Sequence, residues 1–157
     1  MSGPVVKVAS RSFSKNPVLR REITGAFPEV AFNESGATLS GDGLVDFFKG
    51  IQGAVIGLEP ITGEFLDQCP DLKIVSKYGV GLDSVDREAC DARGVAIGWT
   101  GGVNRRGVAE MALCMMIGLM RNIFFSERRL LGDGNWEKDG GTHLSGHTVG
   151  IIGVGFI

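Results

Sequence analysis

Lys77-Tyr78-Gly79-Val80-Gly81-Leu82-Asp83 is the segment whose residue types point most directly to a ligand. Two glycines around one residue, set between an apolar run and a helical turn, can present successive backbone N–H groups to a carboxylate or a phosphate. The plain alternative is a tight strand-to-helix turn that binds nothing, because glycine is common at such turns. Ser10-Arg11-Ser12-Phe13-Ser14 supplies a cation and hydroxyls able to hold an anion. Arg11 and Ser12 therefore join Tyr78, Gly79, Val80 and Gly81 as candidate binding residues. Glu59-Pro60-Ile61-Thr62 follows a further apolar run.

A second kind of chemistry is suggested near Ile157. Thr148 to Ile152 reads as a strand and runs into Gly153-Val154-Gly155, the opening of a Gly-x-Gly-x-x-Gly turn. Glycines there let a strand turn into a helix and let the backbone approach a pyrophosphate. The third glycine, the helix and the acidic residue about 20 positions on would all fall past Ile157.

Other candidates have bland readings. Arg105 and Arg106 fall in the first turn of a helix, where they read as solvated surface cations. His143 and His147 are separated by Ser145-Gly146 and read as loop histidines rather than a helical metal pair.

The elements that must carry these turns alternate along the first hundred residues. Strands are expected at Val5–Ala9, Glu29–Phe32, Ala54–Leu58, Lys73–Lys77 and Val95–Ile97. Helices are expected at Pro17–Phe27, Ser40–Lys49, Gly63–Cys69 and Asp86–Arg93, with Asn16 as N-cap of the first and Gly94 closing the last. This alternation implies a parallel sheet with helices on both faces. In such sheets ligands bind beyond the C-terminal ends of the strands, where the candidate turns lie.

Gly98 to Gly102 is the expected linker. A single long helix is expected from Val103 to Leu131, with Asn104 near its start. It would be about 40 Å long. Val108, Met111, Ala112, Met115 and Leu119 mark one apolar face, and Ala109, Leu113, Met116, Ile117, Met120 and Phe124 extend round to the other. A helix apolar on most sides is buried on most sides, either in a core or against a second subunit. Gly132 to Gly146, with Trp136, reads as a polar arm or loop.

Composition excludes several classes. The net charge of −2 argues against a general nucleic-acid or membrane-surface binder. Met111 to Met120, the longest uncharged apolar run, is too short to span a membrane. Cys69, Cys90 and Cys114 are odd in number and widely spaced, which suggests no disulfide framework and a reducing cytoplasm. No signal-peptide pattern opens the chain at Met1-Ser2-Gly3-Pro4.

From about Ala54 to Ile157 the chain resembles the D-isomer-specific 2-hydroxyacid dehydrogenases, among them the phosphoglycerate dehydrogenases. The resemblance rests on Leu58-Glu59-Pro60-Ile61-Thr62 and Leu72 to Asp86. It continues with Thr100-Gly101-Gly102-Val103-Asn104, Val108-Ala109-Glu110, Gly134-Asn135-Trp136 and Gly153-Val154-Gly155. It implies a flavodoxin-like substrate domain over residues 1–100. Residues 101–157 would hold a long dimerisation helix, an arm and the first strand of a truncated NAD-binding Rossmann domain.

By the same resemblance Tyr78 to Gly81 hold the substrate carboxylate by their backbone. Asn104 lies at the start of the interdomain helix beside the cleft, and Gly153 and Gly155 face NAD. The family commonly has proline where Gly101 stands. The family's catalytic arginine and glutamate–histidine pair have no counterpart here, so no catalytic residue is assigned. The expected function is that of the N-terminal part of an NAD-dependent oxidoreductase. Its substrate would be a small 2-hydroxy or 2-keto acid, with 3-phosphoglycerate a candidate, and the chain would be inactive alone and dimeric if folded. The rivals are a non-catalytic binding or dimerisation module that pairs with a full-length homologue, and one half of a protein completed by a separate reading frame.

Overall fold

The computed structural model describes residues 4–136, 140–153 and 155–156. The reading of Met1 to Gly3, Val154 of the Gly-x-Gly turn, Ile157 and residues 137–139 of the arm lie outside them. The chain divides into two compact units, Met1–Thr100 and Gly101–Ile157.

In the first unit the chain order is β1 (Val5–Val8), α1 (Arg11–Ser14), α2 (Pro17–Ala26), β2 (Glu29–Phe32), α3 (Gly41–Phe48), β3 (Gly53–Ile56), α4 (Gly63–Gln68), β4 (Ile74–Lys77), α5 (Arg87–Ala92) and β5 (Ala96–Gly98). Local chemistry sets several of these boundaries. Asn16 Oδ1 accepts the N–H groups of Val18 and Leu19 at 3.0 and 3.2 Å, ahead of Pro17 at the first helical position. Thr62 and Asp86 cap α4 and α5 in the same way, accepting from Phe65 N–H at 3.2 Å and Ala89 N–H at 2.9 Å.

All strand pairs are parallel, in the order β2-β1-β3-β4-β5. This is the flavodoxin-like order. The step from β1 to β2 runs one way across the sheet, and every later step runs the other way. Right-handed crossovers therefore send α2 to one face and α3, α4 and α5 to the opposite one. Alternate strand residues follow the two faces. Ala54, Ile56 and Val75 join Leu44, Phe48, Ile61 and Phe65 in the larger core, while Val6, Val8 and Val55 meet Phe13, Ile23 and Phe27. β3 is buried along its whole length, as a central parallel strand must be. One helix cannot cover the whole of the α2 face. An open groove of about 900 Å3, lined by Val6, Val55, Ile74, Ile23 and Phe27 among others, remains over β3 and β4.

The second unit departs from expectation. The single helix expected over 103–131 is two, α6 (Arg105–Met120) and α7 (Ile123–Asp133), bent by 68°. Asn122 adopts φ 53°, a left-handed conformation that ends a helix and that asparagine tolerates better than most residues. Gly118 opens the space for the turn: a Cβ there would lie 2.6 Å from the Phe124 ring. No single helix among the described residues is long and apolar enough to cross a membrane. The loop expected from Gly132 begins at Gly134 instead, because α7 continues to Asp133.

Thr148 to Ile152, expected to be a strand, forms none. It has no strand neighbour among the described residues, and a strand without a partner leaves its backbone groups unpaired. In this unit only Gly102 and Gly118 are buried among the described residues.

Candidate functional site

The C-terminal ends of β1, β3 and β4 converge on one edge of the first unit. Lys77 ends β4, and Tyr78 N–H donates to Ile56 O of the neighbouring strand at 2.8 Å. The chain then turns through Gly79, whose φ of 141° is strained for any residue with a side chain. The N–H groups of Gly79, Val80 and Gly81 have no hydrogen-bond acceptor among the described residues. Three successive unpaired N–H groups in an exposed loop suit an anion.

Side chains from three strand ends frame this loop. Lys77 Nζ donates to Gly57 O and to Ser84 Oγ, the latter at 3.1 Å. Gly57 N–H donates to Glu59 Oε2 at 2.6 Å, and Glu59 is only 1% exposed. Gly57 is thus held by a carboxylate at its N–H and an ammonium at its carbonyl. No side chain fits there, since a Cβ would lie 2.9 Å from Ser10 Oγ. Ser84 O accepts Ile61 N–H, and Ile61 O accepts Asp86 N–H, both at 2.8 Å, so the far end of the loop is tied to the segment after β3. Trp99 Nε1 donates to Val80 O at 2.9 Å from the end of β5. The charges at this edge are mixed, because the Asp83 carboxylate stands 2.9 Å from where a Cβ on Gly81 would lie.

The structure brings part of the expected set together. Phe13 meets Tyr78 edge to face, with ring centres 5.3 Å apart, so the turn after β1 lies against the loop after β4. That turn is the short helix α1. It is capped by buried Ser10, which accepts Phe13 N–H at 3.4 Å and stands 3.5 Å from Ser12 Oγ. The exposed Arg11 side chain has no hydrogen bond or ion pair among the described residues. Ser10, Gly57, Glu59 and Trp99 were not among the expected binding residues. The readable signals were a carboxylate set directly after a central apolar run and a tryptophan between glycines.

Asn104, Gly153 and Gly155 belong to the second unit. Asn104 precedes α6, but its side chain makes no capping bond. Gly153 has φ 90°, yet the segment before it is not a strand, so the turn that would cradle a pyrophosphate has nothing to hang from.

The thiols offer no nucleophile in the core. Burial pushes the Cys69 thiol up, and burial together with the carboxylates of Asp86 and Asp91 does the same to Cys90. No cluster of metal-ligating side chains occurs among the described residues.

The model of the D-isomer specific 2-hydroxyacid dehydrogenase catalytic domain matches residues 8–152. A glyoxylate/hydroxypyruvate reductase of Arabidopsis thaliana is 36% identical over 107 residues, covering 66% of this chain and 33% of its own. A D-3-phosphoglycerate dehydrogenase of Mycobacterium tuberculosis is 37% identical over 99 residues, which cover 62% of this chain and 19% of its own. The solved 3-phosphoglycerate dehydrogenase of Entamoeba histolytica, with NAD+ bound, superposes with a TM-score of 0.66 at 25% identity. It covers 78% of this chain and 41% of its own. The chain thus spans less than half the length of each of these relatives.

Proposed function

The chain belongs to the D-isomer-specific 2-hydroxyacid dehydrogenase family, and from that premise we propose that its first unit is the part of a dehydrogenase that grips the carboxylate of a small 2-hydroxy or 2-keto acid. The observation that carries this reading is the row of unpaired N–H groups at Gly79, Val80 and Gly81, held open at the C-terminal end of β4. Arg11 and Ser12, on the turn that reaches Tyr78 through Phe13, are placed to meet the remainder of the substrate. By family the cofactor is NAD, which would take up a hydride from the carbon bearing the hydroxyl. Gly153, Gly155 and Asn104 are its proposed contacts once the nucleotide-binding fold is complete.

The reaction also needs a base for the hydroxyl proton and a cation for the keto oxygen. Among these residues no histidine lies in the first unit. The 157-residue polypeptide by itself is therefore expected to bind the acid without oxidising it.

Titration of the 15N-labelled chain with glyoxylate and with 3-phosphoglycerate tests the carboxylate grip. The amides of Gly79, Val80 and Gly81 should shift together and saturably. If they stay still up to tens of millimolar ligand, the reading fails. NAD+ reduction by the purified chain with any 2-hydroxy acid would overturn the expected inactivity.

A second reading, a dimerisation and binding module, is favoured by one observation. Met111, Met115 and Leu119, spaced four residues apart along one face of α6, are 52–60% exposed, an apolar stripe suited to a second copy of the helix. The dimer expected through residues 103–131 would then use α6, with α7 turned away from its axis. Light scattering should give twice the chain mass for the parent and the chain mass for Met115→Glu with Leu119→Glu. A monomeric parent refutes the dimer. The unpaired Cys69, Cys90 and Cys114 suit a reducing compartment, and cytoplasm is the proposed location.

A further inference from the structure

We propose that Trp99 is a positioning residue for the anion-holding loop: its indole N–H grips the Val80 carbonyl and so turns the Gly81 N–H toward the ligand. The inference rests on the carboxylate reading of residues 79–81.

Every peptide bond described is trans. In a trans peptide the carbonyl of one residue and the N–H of the next point in opposite directions. Holding Val80 O on one side therefore aims Gly81 N–H to the other. The loop needs such a hold. Glycine on both sides of Val80 removes the side-chain hindrance that normally selects one orientation of a peptide plane. Gly79 already sits at φ 141°, where backbone preference is weak for glycine.

The bond from Trp99 Nε1, at 2.9 Å, is the only side-chain hydrogen bond to a carbonyl of residues 78–83 among the described residues. Indole donates and does not accept, so the bond has a single polarity and cannot stabilise the flipped peptide. Lys77 holds the loop at its far end, through Ser84 Oγ, and does not reach the Val80–Gly81 plane.

Position adds a second consequence. Trp99 directly follows β5 and stands two residues ahead of Gly101, where the second unit begins. The donor that aims the Gly81 N–H is therefore carried by the expected linker segment itself. Whatever displaces Trp99 loosens the hold on the anion.

The test compares the parent chain with Trp99→Phe and with a semisynthetic chain carrying benzothienylalanine at 99, which keeps the indole shape but has no N–H. Glyoxylate is titrated into each 15N-labelled protein, and thermal unfolding is recorded alongside. Trp99 is 44% exposed, so water competes for its bond. The expected loss is about 3- to 10-fold in glyoxylate affinity, largest for the Gly81 amide, with the benzothienyl chain unfolding at the parent temperature. Equal affinity in all three proteins overturns the inference and leaves the carboxylate reading standing. If the parent itself does not bind, that reading falls, and the ligand-free spectra decide the rest. Gly81 must shift more than other amides in the benzothienyl chain, and an unmoved Gly81 resonance overturns the inference. Should Trp99→Phe fail to fold, the isosteric chain alone supplies the comparison.

Discussion

In the first unit Val8, Phe48, Ile56, Ile61 and Val75 are sealed from solvent, whereas in the second Met111, Leu113, Met115, Leu119 and Phe125 are each more than half exposed. Both regions are rich in apolar side chains, so hydrophobicity alone does not distinguish them. The first surrounds a sheet with helices, and alternate strand residues find partners on two faces. The second offers two short helices that meet mainly where Phe124 seats over Gly118. An interior requires a facing layer, and two helices do not enclose one. The contrast extends to chemistry. The first unit has enough rigid structure to hold three N–H groups unpaired at a defined edge, while Gly153 follows a segment with no strand to anchor it.

Substitutions can break or sharpen this contrast. Phe48→Ala in the sealed core should cost about 3–5 kcal/mol in urea unfolding. Leu131→Ala, at a side chain 78% exposed, should cost under about 0.5 kcal/mol in the monomer. Similar costs for the two would abolish the distinction. Glu59→Ala should cost about 1–3 kcal/mol, because it removes a buried carboxylate and leaves the half-buried Gly57 N–H without its acceptor. A neutral result would mean that the Gly57 turn holds itself.

Asn16→Ala should cost about 1 kcal/mol by removing the oxygen that accepts from Val18 and Leu19. The smallest effect concerns Glu34. A hydrogen bond from Arg20 lowers its carboxyl pKa; desolvation opposes this, and the charge of Arg20 adds a smaller lowering. A lowered folded-state pKa gives stability that is present above the unfolded carboxyl value and disappears as pH falls through the folded one. Glu34→Gln should therefore melt slightly below the parent near neutral pH, and the difference should vanish in acid. It should also shrink with added salt, since the pair is exposed.

Much of the first unit was legible before its coordinates. Apart from α1, which was not expected, its strands and helices fall within a residue or two of the expected spans, because Pro17, Thr62, Asp86 and Gly94 punctuate apolar runs of distinct period. The Tyr78–Gly81 loop was legible for the same reason: glycine spacing is a local property. The helix break was not. Residues 121–122 contain neither proline nor glycine, and nothing local to Asn122 announces that it will take a left-handed conformation. The strand expected at 148–152 was misread because a β-branched run records a preference for pairing but not the presence of a partner.

The amino-acid order alone determined the alternation of elements, and with it a parallel sheet whose turns gather at one edge. Tertiary structure decided which side chains meet at that edge. Trp99 reaches Val80 across 19 positions, Lys77 reaches Gly57 across 20, and Phe13 touches Tyr78 from the far side of β3. Caps and turns are contacts between near neighbours, written in short stretches of sequence. Contacts between the ends of different strands depend on sheet order and crossover handedness, and they exist only once the whole unit has closed.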